Sequence, residues 1–334
     1  MDKKLFWSAT TVLLCGSLAS ASYAHKKEDI EEFSPFYLAV DTAEESYEVG
    51  ASLLILQGNS SSDLNQYAVI SNHSGSVHNV STVGDDYNIG FDVFFGYNFE
   101  NGQDLLLSYT YFNNSNNDVT HCDADSICNS YPNNEKFSDF ADASVGTTFN
   151  AGDLLFGQRF VLGEQMKLHF AVGLTAAWIT NGFNSYYAID DTNFIFHEHY
   201  SQFKGIGPKV GFDGDYQLVE SPISLYMGLS VAGLVGKSTA STSEYDDSDN
   251  VDHFDGNEQD QFVPNLNVDL GLRYMYEYSE EISGAVLVGY RINEYFDAVR
   301  DTVEYGGGDG SVTQIDSTTN YSLNGPYITL SAMF

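Results

Sequence analysis

Ten segments of this chain alternate apolar side chains with polar or small ones, and the connections between them alternate in length, long then short. The first segment sets Tyr47, Val49, Ala51, Leu53 and Ile55 opposite Glu48, Gly50 and Ser52. The second sets Tyr87, Ile89, Phe91, Val93, Phe95, Tyr97 and Phe99 against Asn88, Gly90, Asp92, Phe94, Gly96 and Asn98. A tight turn, Glu100-Asn101-Gly102-Gln103, in which glycine supplies positive φ, leads into Leu105, Leu107, Tyr109 and Tyr111. Three more hairpins follow: 153–162 with 166–179, 204–218 with 223–235, and 263–278 with 282–293. The last segment, Leu323 to Phe334, puts Ile328, Leu330, Ala332 and Phe334 on one face, with Tyr327, Thr329, Ser331 and Met333 on the other. A period of two is the signature of a strand.

The long connections are polar and fall at 58–85, 114–140, 180–202, 236–260 and 297–321. A soluble sandwich has no reason to segregate its loop lengths so strictly. A barrel in the outer membrane does, with short turns in the periplasm and long loops outside. The expected fold class is therefore all-β: a transmembrane antiparallel β-barrel of ten strands, with long extracellular loops and short periplasmic turns. Twelve strands are the alternative, if residues 137–149 form a strand of their own rather than prolong a bent one. Aromatic residues at the strand ends fit the same reading. Tyr97, Phe99, Tyr276, Tyr278 and Phe334 lie near the turns, and Tyr87, Tyr111 and Trp178 near the loops, where ring side chains anchor a barrel at headgroup level.

The beginning of the chain agrees in compartment. Lys3 and Lys4 precede an apolar run from Leu5 to Leu18, followed by Ala19-Ser20-Ala21-Ser22-Tyr23-Ala24. This is the pattern of a cleaved secretory signal, with the cut expected after Ala24 and Ala21 as the second choice. Cys15 is not expected to carry a lipid, because Leu14 before it is too large for a lipidation motif. The expected organisation is a signal peptide over 1–24, a periplasmic segment over 25–44 and the barrel over 45–334. No later stretch is apolar enough for a membrane helix, so a span by this chain has to be a closed barrel. Phe334, closing the last strand, reads as a signal for the barrel-assembly machinery, to which periplasmic chaperones would deliver the chain.

Charge narrows the partners. Signal removal takes two lysines and one aspartate, leaving 11 basic and 46 acidic residues and a formal charge of −35. Nucleic acid is excluded as a partner by that balance, whereas cations and small cationic solutes are attracted. Outer-membrane lipid and lipopolysaccharide are the expected surroundings; the oligomeric state is not legible. An acidic secreted adhesin shares this composition.

Cys122 and Cys128, six positions apart in an exported chain, are expected to form a disulfide. Zinc on His121, Cys122, Asp125 and Cys128 is the alternative, but the spacing fits no usual zinc pattern. Val231 stands where a phosphate-binding loop ending Gly236-Lys237-Ser238 needs glycine, so that motif is set aside. No cofactor is expected. The acidic loop from Glu244 to Glu258 has hard oxygen ligands suited to Ca²⁺ or Mg²⁺, without the spacing of an EF-hand. His197-Glu198-His199 suits a metal or a surface hydrolase, but no catalytic pairing is readable, and the chain is expected not to be an enzyme.

The faces opposite the lipid carry charge: Glu48, Asp92, Arg159, Lys167, His169, Lys209, Asp213, Asp215, Asp269, Arg273 and Arg291. On a lipid-facing wall an Arg or Lys would cost about 2–4 kcal/mol at mid-depth. These residues are the candidate lumen lining. In a barrel of about ten strands they either line a narrow wet pore or tie its walls together.

Three segments carry a family likeness. Phe203-Lys204-Gly205-Ile206-Gly207-Pro208-Lys209-Val210-Gly211, with Asp213 and Tyr216, resembles a signature strand of the Legionella-type major outer-membrane protein family. Val288-Gly289-Tyr290-Arg291 through Tyr295-Phe296-Asp297-Ala298 resembles its penultimate strand, and Leu323-Asn324-Gly325-Pro326-Tyr327-Ile328 its last. Tyr47 stands where that family usually has a tryptophan, and the loops here are unusually acidic. The resemblance implies an abundant, pore-forming surface protein. Together with the acidic balance it leads to a pore for small solutes with a cation bias. A structural or adhesive barrel with a filled lumen is the second reading, and a surface hydrolase the third.

Overall fold

The computed structural model describes residues 38–334, apart from 43–44, 61–65, 73–76, 85, 123–125, 131–135, 138–139, 189–193, 219–220, 247–250, 280–281 and 307–311. The expected signal peptide and most of the segment 25–44 lie outside the described residues.

The strands are β1 (Leu38–Val40), β2 (Ser46–Ser60), β3 (Gln66–Asn72), β4 (Val77–Thr82), β5 (Tyr87–Asn98), β6 (Gln103–His121), β7 (Ser126–Ser130) and β8 (Lys136–Phe137). They continue as β9 (Phe140–Leu162), β10 (Met166–Ala188), β11 (Phe194–Gln217), β12 (Ile223–Asp246), β13 (Val251–Asp255), β14 (Gln259–Glu277), β15 (Ser283–Gly306) and β16 (Val312–Met333). Ten of them close a ring of antiparallel ladders in the order β2-β5-β6-β9-β10-β11-β12-β14-β15-β16 and back to β2. Residues 140–149 belong to the single long strand β9, which settles the strand count at ten rather than twelve. At the seam, Thr329 of β16 faces Ser52 of β2 in register, and their hydroxyls lie 2.8 Å apart.

The short turns sit where sequence places them. Gly102 turns with φ of +77°, its N–H donating to Phe99 O at 3.0 Å, and Gly163 with φ of +66°. β1, within the segment expected to be periplasmic, continues the wall beneath this turn by pairing with residues 160–162 of β9.

The long connections differ from expectation. Much of 114–121, 181–188, 194–202, 236–246 and 299–306 is strand rather than loop. A 23-residue strand such as β9 rises about 3.3 Å per residue and, tilted by about 40°, spans ~58 Å, some twice an apolar band of about 25 Å. The upper wall therefore stands in water. Its outer face meets water there instead of lipid, so the alternation that marks a membrane strand fades.

The apolar band itself is continuous around the ring. Leu53, Ile89, Leu107, Phe156, Val172, Val210, Leu229, Leu272, Val288 and Leu330 are all exposed on the outer face, one from each strand. A water-soluble monomer does not expose such a belt. Tyr47, Tyr276, Tyr278 and Phe334 rim it at the turn end, Tyr87 and Trp178 at the loop end.

Two features shape the loop end. β3, β4, β7 and β8 form a separate small sheet whose Tyr67 and Ala68 are fully buried. It is fastened by Tyr67 Oη donating to Asp118 Oδ2 at 2.8 Å and by Tyr187 Oη donating to Tyr67 O at 2.7 Å. The Cys122–Cys128 disulfide is formed, with Cys128 buried on β7 of this sheet. In β15 a bulge between Tyr295 and Val299 interrupts the ladder to β16. Asp297 takes a positive φ of 58° there, and the consecutive residues Ala298, Val299 and Arg300 are all buried.

Candidate functional site

The barrel interior is built in layers from the turn end upward. Lowest is a cavity of about 420 Å³, lined by residues at and near the turn ends of the strands. Glu48, Asp92, Arg159, Lys167, His169, Lys209, Asp213, Asp215, Asp269, Arg273 and Arg291, the eleven lumen candidates, all line it. Asp41, Asp104 and Asp153 join them. The cavity thus gathers eight carboxylates against five Lys or Arg side chains and one histidine.

These charges are tied to one another across the lumen. Arg291 Nε lies 2.7 Å from Asp269 Oδ1 on the neighbouring strand and its Nη1 3.4 Å from Asp92 Oδ2 on β5, with two strands of the ring between. Its guanidinium covers the Tyr327 ring at 5.2 Å. Arg273 pairs with Asp215 and lies 4.5 Å over the Tyr226 ring. Lys209 Nζ reaches Asp153 Oδ2 at 2.7 Å, and Arg159 reaches Glu48 at 3.5 Å and Asp104 at 3.4 Å.

His169 sits between two carboxylates, Nδ1 at 2.7 Å from Asp213 Oδ2 and Nε2 at 3.0 Å from Asp104 Oδ2. Only an imidazolium can donate to both at once. Gly157 makes the room: a Cβ there would collide with His169 Nε2 and come within 2.6 Å of Asp104 Oδ1. Lys167, more exposed at the mouth, faces Asp41 at 3.9 Å.

Above this charged layer the inward side chains turn apolar. Leu56, Phe112, Phe149, Ile179, Phe203, Leu234, Val263, Tyr295 and Tyr321 come from nine of the ten ring strands and pack as one cluster. Phe112, Phe149, Phe203, Leu234, Val263 and Tyr321 are 0% exposed. Phe149 meets Tyr295 at 5.4 Å and Tyr321 at 6.2 Å between ring centroids. The bulge at Asp297 contributes by turning Ala298 and Val299 into this layer. Among the described residues these side chains form an apolar layer, a septum, at this height of the lumen.

Higher still, β11 carries His197 and His199. His199 Nδ1 lies 3.3 Å from Asp301 Oδ1 and 3.2 Å from Thr242 Oγ1; His197 Nδ1 lies 3.3 Å from Glu244 Oε2. Burial holds the His199 imidazole below its ordinary range, against the pull of Asp301 and of the Arg300 backbone. No group of three or more metal-ligating side chains is gathered among the described residues. Asp125 and part of the acidic loop, 247–250, lie outside them.

Sequence reasoning missed Asp104 and Asp153 as lumen residues. Asp104 directly follows the Gly102 turn and reads as part of it, and Asp153 reads as the start of its strand. The inward parity of each was available: Asp104 shares a face with Leu106 and Ser108, Asp153 with Ala151 and Leu155. The septum left a weaker trace. Phe149, Tyr295 and Tyr321 lie at the margins of segments read as polar connections.

A closed ring of antiparallel strands, an apolar belt rimmed by aromatic side chains and a charged interior define an integral β-barrel of the bacterial outer membrane. The family model of the Legionella pneumophila major outer membrane protein precursor matches residues 39–334, and the chain belongs to that family. No curated protein matches it.

Solved structures similar to it include the outer membrane protease OmpT of Escherichia coli, 11% identical over 88% of this chain and 98% of that one, with a TM-score of 0.42. A Pseudomonas aeruginosa FadL homologue is 8% identical over 87% of this chain and 90% of that one, with a TM-score of 0.24. The toluene transporter TodX of Pseudomonas putida is 8% identical over 88% and 90%, with a TM-score of 0.21.

Proposed function

We propose that this protein is a structural barrel of the cell surface whose lumen is occluded in the described conformation, and that it is not an enzyme. The observation that carries this reading is the apolar septum contributed by nine strands, with cross-lumen ion pairs beneath it. Such pairs brace opposite walls of a narrow barrel. The two loop-end histidines are occupied with Glu244, Asp301 and Thr242 of the same upper wall, which suits a bracing role.

The second reading is a pore that prefers cations. It is favoured by the excess of carboxylates in the cavity, which would focus a negative potential on any route past the septum. On that reading solutes cross only when the septum parts.

Planar-bilayer recording of the purified protein separates the two. The occluded barrel gives no conductance steps, while Phe149→Ala combined with Tyr295→Ala, which empties the middle of the septum, gives steps that favour cations. Cation-selective steps from the unaltered protein would overturn the occluded reading and establish the gated pore.

A further inference from the structure

We infer that Lys204 and Lys237 form a site on the outer wall for a phosphate group of an outer-leaflet glycolipid, the chemistry of lipopolysaccharide. Of the lysines and arginines whose side chains are described, Arg159, Lys167, Lys209, Arg273 and Arg291 line the cavity and Arg300 is buried. Lys204 and Lys237 alone among them face outward, and they stand directly opposite each other on β11 and β12. In a chain of formal charge −34, this is a deliberate concentration of positive charge.

The height of the pair fixes its surroundings. Trp178 is the partner of Lys204 across the β10–β11 ladder, and its indole is exposed at the loop-end rim. One step lower on three adjacent strands the outward residues are Ile206, Val235 and Phe262, each 57–62% exposed toward lipid. Level with the lysines or just above them the outward residues are Gln202, Thr239 and Asp260. Lys204 and Lys237 therefore lie where acyl chains give way to headgroups, at the level of an indole anchor.

Like charges set directly opposite in a ladder repel. Lys237 is compensated by Glu258 at 3.1 Å and Asp260 at 3.0 Å, which hold its ammonium in place. Among the described residues no carboxylate lies within ion-pairing distance of Lys204. A headgroup phosphate seated against Lys204 supplies the missing countercharge, with the apolar wall below it for the acyl chains and Lys237 between it and the two carboxylates.

The test is native mass spectrometry of the full chain folded in detergent and titrated with bis-phosphorylated lipid A. The same lipid A after removal of both phosphates is titrated in parallel, and inorganic phosphate serves as competitor. Unaltered protein is expected to hold one phosphorylated lipid about thirtyfold more tightly than Lys204→Gln/Lys237→Gln, the equivalent of about 1 kcal/mol for each of the two basic residues near an anionic lipid surface. It is also expected to hold the dephosphorylated lipid no better than that variant does, and inorganic phosphate at equal concentration is expected not to displace the lipid. Equal affinity for the two lipids overturns the proposal without any variant being needed. Equal affinity of the two proteins for the phosphorylated lipid, or displacement by free phosphate, overturns it as well.

Discussion

Arg291 stands between two carboxylates taken from separate parts of the wall, and its role follows from what each would lose without it. Asp269 is buried and Asp92 largely so, and each has Arg291 as an ion-pair partner. Arg291→Met leaves two buried carboxylates facing an apolar side chain, and breaking a buried pair of this kind costs about 3–5 kcal/mol. Replacing all three, with Asp92→Asn and Asp269→Asn beside Arg291→Met, removes the uncompensated charge and should restore most of that loss. Urea unfolding in detergent, followed by the change in gel mobility between folded and heated barrel, checks this: the single variant should unfold at a lower midpoint than the triple one. A single variant as stable as the parent would mean that water reaches these carboxylates freely. Arg291 itself was legible in sequence, because an arginine opposite Tyr290 and Ile292 in a membrane strand can only point inward. Its partners across the lumen were not, since parity assigns a face but not a facing neighbour.

Among the elements, β11 passes from the apolar band into the upper wall, and its two ends report differently on the sequence. From Lys204 to Gln217 the outward residues include Ile206, Val210 and Tyr216, and the strand was readable by alternation. From Phe194 to Gln202 the same strand has water outside it, and polar residues on both faces, His197, His199 and Ser201 inward and Glu198 and Gln202 outward, made it look like loop. The buried His199 belongs to this second half. Because burial lowers its pKa, the unfolded chain binds that proton more readily than the folded one. The stability it leaves to the upper wall is fully present above about pH 6.5, the ordinary histidine value, and declines as pH falls below it. Amide protection in residues 195–203, corrected for the intrinsic pH dependence of exchange, should therefore fall between about pH 7.5 and pH 5, and His199→Gln should abolish that fall. Unchanged protection in the parent protein would show that Asp301 compensates the charge fully.

For the whole molecule, ring closure depends on one ladder between the first and last ring strands. Ser52 and Thr329 meet there although 277 residues separate them, while the other nine ladders of the ring join strands that follow one another around it. Deleting residues 321–334 would leave β2 and the lower half of β15 as open edges, and the shortened chain should aggregate rather than give a heat-modifiable band. A folded, membrane-inserted product of that deletion would mean that a nine-stranded sheet can close on itself. The order of events is also constrained. Hairpins can form as soon as their strands are made, but no register can become permanent until the final ladder docks, and long-range closure of this kind is slow. The seam thus acts as a clock on biogenesis. The interval between export and docking, when both edges are still unpaired, is the period in which the chain is most exposed to proteases and to other unfinished copies of itself.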